Sequence, residues 1–191
     1  MIAKINSVGL SGIQGFLIQA EADVSPGIPA WEIVGLPDVA VRESKERIRT
    51  ALKHAGFKIP GKRIVVNLAP AGIKKEGAYL DLPIAIGILI SSGQLNLTDT
   101  DNMAFFGELS LDGRLRPVNG ALPMAITAYQ SGINKIYLPK ENASEAAVVS
   151  GLEVYGIETL SELVMNITGE KTLEPCRVDT EELFKRAAES G

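Results

Sequence analysis

Cysteine and histidine occur once each in this chain, as Cys176 and His54. One cysteine excludes an intramolecular disulfide and any multi-cysteine metal site, which suits a reducing compartment. One histidine leaves a serine–histidine triad a single possible base, and no Gly-x-Ser-x-Gly elbow is present to partner it. The longest apolar run, Leu82 to Ile90, is half of what a bilayer needs and contains Pro83. The opening "MIAKINSVGL" has no basic region leading into a long apolar stretch, so no signal peptide is expected. The expectation is a cytoplasmic protein without a membrane contact. A net charge of −4 gives no global argument for nucleic acid.

What is present is ordinary for a globular protein: 191 residues, 46% hydrophobic and 22% charged. In "FLIQAEADV", Phe16, Ile18, Ala20, Ala22 and Val24 alternate with Leu17, Gln19, Glu21 and Asp23, a strand period with one polar face. "AKINSVGL" is its hairpin partner through Ser11-Gly12, and "WEIVG" a short third strand. Asp38 can cap a helix running to about Ala55, with Gly56 as its stop. Val41, Ser44, Ile48, Ala51, Leu52 and Ala55 form the buried stripe of that helix. "RIVVNLA" reads as a buried strand, and Asp81 as the cap of a second helix ending at Gly93.

Further on, "MAFFGELSLDGRLRPV" reads as two strands around a type I′ turn at Asp112-Gly113. A helix over about 121–131 and the strand "NKIYLP" follow. Asn142 with Glu145, and Thr159 with Glu162, have the spacing of capping boxes on either side of the strand "LEVYGI". From Gly169 to Gly191 the periodicity fades into a charged linker with at most one helical turn. The fold class is α/β (α+β), antiparallel N-terminal strands followed by alternating helices and strands, with a domain over 1–168.

Two stretches invite a chemical reading. "GFKIPGKR" (56–63) nearly matches a phosphate-binding loop, but a helix precedes it, a strand follows, and Arg63 stands where magnesium's hydroxyl ligand belongs. It reads as a helix-to-strand turn. Arg42, Lys45, Arg49 and Lys53, by contrast, recur at helical spacing on one side. Residues 42–75, which include Lys74 and Lys75, hold ten basic and two acidic residues, net +8, so the remainder of a chain at −4 carries −12. Such separation suits a phosphate-contacting face for DNA, although a solvated helix face explains it as well. No aromatic residue alternates with the four ridge cations, which argues against a stacking platform.

"GLPDVAVRESKERIRTAL", "VVNLAPAGIKKEGAYLDLPIAIGIL", "FFGELSLDGRLRPVNGALPMA", "IYLPKENASEAAVVSGLEVYGI" and "TLSELV" follow one another in order. Together they resemble the N-terminal domain of the magnesium-chelatase-like AAA+ ATPases of the ComM family. The resemblance implies a fold similar to the proteolytic domain of Lon protease, and an AAA+ module that uses ATP and magnesium, of which no phosphate-binding loop is found here. It further implies partners: that module, neighbouring subunits of a homo-oligomeric ring such as a hexamer, and DNA, with ATP-driven branch migration during natural transformation. Lon-type peptidases carry serine in an Asp-Gly-Pro-Ser-Ala-Gly loop and a lysine on the helix after a "GE" hairpin. Here the loop reads Glu76-Gly77-Ala78-Tyr79-Leu80-Asp81, which puts Tyr79 at the serine position, and Met124 falls at that of the lysine. A thioether neither moves protons nor activates a nucleophile, so no catalytic residue is expected. A degenerate Lon-type peptidase and a metal chelatase subunit are the alternatives.

Overall fold

Two long strands start the chain, β1 (Ile2–Ser11) and β2 (Gln14–Ser25), paired antiparallel in full register from Ile2 with Asp23 to Ser11 with Gln14. The two-residue turn between them has Gly12 at φ 66, a conformation glycine adopts without steric cost. In this computed structural model, which describes residues 1–178 and 188–189, a seven-stranded sheet grows outward from that hairpin. Its remaining strands are β3 (Ala30–Val34), β4 (Arg63–Ala69), β5 (Met103–Phe105), β8 (Lys135–Pro139) and β9 (Glu153–Ile157), in the order β3-β4-β2-β1-β5-β8-β9. β4 adds antiparallel to β2, while β3 on β4, and β5, β8 and β9 beyond β1, are parallel. The fold class therefore agrees with the sequence reading.

Helices cover both faces. On one side α2 (Ser44–His54), α3 (Asp81–Ser91) and α6 (Leu160–Ile167) share a core with Ile5, Ile18, Ala20 and Val66. On the other, α4 (Ala121–Gln130) and α5 (Lys140–Ala146) pack with Val8, Ala104, Ile136 and Val154. α3 is buried from Asp81 to Ile90, as a helix apolar all round must be.

Four expectations change in detail. The helix expected over 38–55 is two: α1 (Val39–Arg42), capped by the Asp38 carboxylate accepting from the Val41 N–H at 2.8 Å, then a break at Glu43 before α2. Asp81 does not cap α3; it is the first helical residue, and its carboxylate turns sideways to other partners. The hairpin of β6 (Glu108–Leu109) and β7 (Leu115–Arg116) forms, with the Gly113 N–H donating to the Ser110 carbonyl at 3.0 Å. Only Gly113 has positive φ (89), so it is not a type I′ turn, which needs positive φ at both central residues. Asn142 and Glu145 lie inside α5 instead of opening it. Asn142 receives the Val118 N–H (2.8 Å) and donates to the Val118 carbonyl (2.9 Å), and Glu145 accepts from the Leu122 N–H (3.1 Å). Asn142 therefore serves the loop leading into α4, and Glu145 receives an N–H of the first turn of α4. The Thr159 cap is present, its hydroxyl accepting from the Glu162 N–H at 3.1 Å.

After α6 the chain returns along β9: the Cys176 N–H donates to the Val154 carbonyl at 2.7 Å, and Leu173 touches the core. Of the linker expected to hold one helical turn, residues 188–189 are helical, and 179–187 and 190–191 lie outside the described residues.

Candidate functional site

Arg42 ends α1, and Lys45, Arg49 and Lys53 follow along α2, so the break at Glu43 leaves the four on consecutive turns. Arg42, Arg49 and Lys53 are exposed and Lys45 half-buried. Lys45 Nζ donates to the Trp31 carbonyl at 3.3 Å, and the Arg49 guanidinium carbon lies 5.7 Å from the centroid of the Trp31 ring. The sequence reading missed this aromatic partner. Trp31 lies on β3, outside the segment, and only the pairing of β3 with β4 carries it under the ridge.

The two loop lysines part company. Lys74 is exposed and lies 3.4 Å from Glu76. Lys75 is fully buried, its Nζ donating to the Gly35 carbonyl at 2.8 Å and to the Pro70 carbonyl, and burial pushes its ammonium below the usual lysine range. Its backbone is clasped by residues 36 and 38: the Lys75 N–H donates to the Leu36 carbonyl, and the Asp38 N–H donates to the Lys75 carbonyl, both at 2.9 Å. Lys75 is thus a strut between two loops and is withdrawn from the proposed DNA contact. A buried ammonium that has shed its water cannot also meet a phosphate at the surface.

The loop that would hold a peptidase nucleophile is tied to the hairpin: the Gly107 N–H donates to the Tyr79 carbonyl (2.8 Å), and the Leu82 N–H to the Gly107 carbonyl (3.1 Å). Tyr79 packs against the hydrophobic cluster to which Met124 belongs. The Tyr79 hydroxyl accepts from the Leu10 N–H at 3.3 Å, and burial raises its pKa further above the ordinary phenol value. Met124 is fully enclosed among apolar groups.

Two residues beyond Tyr79, Asp81 is a buried hub. It accepts from the Ser44 hydroxyl (2.6 Å), from Arg47 Nε (2.7 Å) and from the Leu109 N–H (3.0 Å). Arg47 in turn is held above its usual range by that carboxylate. Arg47 stands off the ridge face, so the spacing that drew attention to its neighbours passed over it. His54 is exposed at the end of α2. "GFKIPGKR" runs from helix to strand as read, its Lys58 N–H received by the Gln94 side chain at 2.8 Å. Among the described residues no group of three or more His, Cys, Asp or Glu is placed to hold a metal, and no helix is long and apolar enough to cross a membrane.

The family model described as "Subunit ChlI of Mg-chelatase" matches residues 20–142. The chain belongs to this magnesium-chelatase-like family. It is 43% identical over 172 residues to "Competence protein ComM" of Haemophilus influenzae, covering 90% of this chain and 34% of the relative. It is 38% identical over 163 residues to "Uncharacterized protein YifB" of Escherichia coli, covering 85% of this chain and 32% of the relative. A more distant match, 29% over 148 residues, is to "Lon protease 2" of Bacillus subtilis, covering 74% of this chain and 26% of the relative. The chain therefore spans about a third of the length of the first two relatives. The Lon match agrees with the Lon-like fold.

Proposed function

We propose that this chain is the non-catalytic N-terminal domain of a AAA+ ATPase of the ComM type, which helps assemble a homo-oligomeric ring and handles DNA along Arg42, Lys45, Arg49, Lys53 and Lys74. The observation that carries the non-catalytic part is the pair Tyr79 and Met124. At the place of a Lon-type serine and lysine stand a hydroxyl engaged as an acceptor and a thioether sealed in the core. The 43% identity to a competence protein supports the rest. In this reading ATP and magnesium act in the AAA+ module of the longer protein, which works in the cytoplasm and drives branch migration of DNA during natural transformation. The domain supplies a phosphate-following surface, and joining several copies in a ring raises an individually weak affinity.

The test is DNA-stimulated ATP hydrolysis by the full-length protein, with DNA affinity measured at several salt concentrations. Changing Arg42, Lys45, Arg49 and Lys53 together to alanine should weaken binding and flatten the salt dependence, by a log–log slope of about 0.9 for each phosphate no longer neutralised. An unchanged slope would remove DNA from the role of this face. The ChlI description of the matching family favours a second reading, an ATPase subunit of a metal chelatase. Stimulation of ATP hydrolysis by a porphyrin-like substrate instead of DNA would select it.

A further inference from the structure

Trp31 is the only tryptophan in the chain. It lines a cleft of about 160 Å³ with Pro29, Arg49, Ile59, Pro60 and Lys62. Among the described residues its indole Nε1–H is buried without a hydrogen-bond partner, a rare condition that calls for an explanation. Two cations and no carboxylate line the same cleft.

We propose that this cleft seats a phosphate group, the backbone phosphate of a nucleic-acid strand; the strand assignment rests on the DNA reading above. Size sets the class of ligand. Cofactor and drug-sized sites run about 300–1,000 Å³, so this cleft is too small for a nucleotide or a porphyrin but admits a phosphate with bridging water. Charge sets the sign, since Arg49 and Lys62 converge with no acidic residue among the lining side chains. Position sets the source. Arg49 belongs both to the cleft and to the ridge that runs from Arg42 to Lys53, so a strand following the ridge passes the cleft mouth.

Arg49 is suited to this double duty. Its guanidinium carbon lies 5.7 Å from the centroid of the Trp31 ring, and its planar fork offers several N–H donors to a phosphate. A phosphate seated beside Trp31 would bring an acceptor to the cleft that holds this unpartnered indole. The Lys45 bond to the Trp31 carbonyl holds the strand in place meanwhile.

Because Trp31 is the sole tryptophan, the emission of this 191-residue chain reports on the cleft alone. The experiment titrates the chain at low salt with a single-stranded oligothymidylate and, separately, with inorganic phosphate, and follows binding of a labelled oligonucleotide by anisotropy. The expected result is a saturable change in Trp31 emission with the oligonucleotide. Arg49→Ala and Lys62→Ala should each weaken it about tenfold, the scale of removing one charge-assisted hydrogen bond. Arg42→Ala, outside the cleft, should weaken binding while leaving the emission change at saturation intact. Oligonucleotide binding that neither moves the emission nor responds to Lys62→Ala overturns the cleft and leaves the DNA reading standing. A response to inorganic phosphate as tight as to the oligonucleotide overturns the strand assignment in favour of a free phosphate. Absence of any emission change and of any oligonucleotide binding at low salt overturns the cleft, while the DNA reading is decided by the salt-dependent binding of the full-length protein.

Discussion

Arg47 Nε stands 2.7 Å from Asp81 Oδ2, a bond that fastens α2 to the first residue of α3. Arg47 is about one-fifth exposed while the Asp81 side chain is fully buried, so the two losses differ. Arg47→Ala leaves a carboxylate uncompensated in the core and should cost about 3–5 kcal/mol in urea unfolding. The pair Arg47→Met with Asp81→Leu should cost clearly less than the sum of the two single changes. Strictly additive losses would show that the two charges do not depend on each other.

Lys75 carries a pH signature. Its unfolded value is near 10.5 and its folded value lies below that, because burial disfavours the ammonium. Between the two values the unfolded chain holds more protons, so stability rises with pH through that window and is lost as pH falls through the folded value. Lys75→Met has nothing to titrate there. Wild type should gain stability relative to this variant as pH climbs from neutrality toward 10.5, and parallel stability–pH curves would contradict the assignment.

The Tyr79 hydroxyl ties its loop to β1. Tyr79→Phe deprives the Leu10 N–H of its acceptor and should cost about 1 kcal/mol. Neither form should turn over unfolded protein. A peptidase activity that survives repurification and vanishes in Tyr79→Phe would restore the peptidase reading.

Gly113 has φ 89, and its carbonyl accepts from the Leu160 N–H at 2.9 Å, which anchors α6 to the hairpin. A Cβ there meets only ordinary contact, 3.7 Å from the Ala51 carbonyl oxygen. Gly113→Ala should therefore lose about 1 kcal/mol from the left-handed conformation alone. A variant that melts with wild type would place the strain elsewhere.

Much of the fold was legible because the signals were local. The period of two in 16–24, the stripe from Val41 to Leu52, the Asp38 and Thr159 caps and the glycine stops all depend on neighbours within a turn or two. What could not be read joins distant segments. Asn142 and Glu145 have the spacing of a capping box, yet their partners lie 24 and 23 residues away. Lys75 looks like one more surface cation beside Lys74 until residues 35 and 70 close around it. Trp31 and Arg47 were invisible as site residues for the same reason: one reaches the ridge through a parallel strand pair, the other through a carboxylate 34 positions away.

The pairing of β1 with β5 joins Asn6 to Ala104, and this sets a timetable for the nascent chain. At about 5–20 residues per second, Ala104 is made roughly 5–20 s after Asn6. Through that interval the inner side of β1 has no neighbour. α3, which offers no polar face to water, is translated before the sheet is whole. The strands β3-β4-β2-β1 with α2 and α3 all come from residues 2–91. They can close as a half-sheet while the ribosome still holds the rest, giving α3 a surface to lie on. β5, β8 and β9 then join in the order in which they are made, each against the strand before it. The topology permits this domain to assemble by extension outward from its oldest hairpin, with the seam between Asn6 and Ala104 as the junction of its two halves.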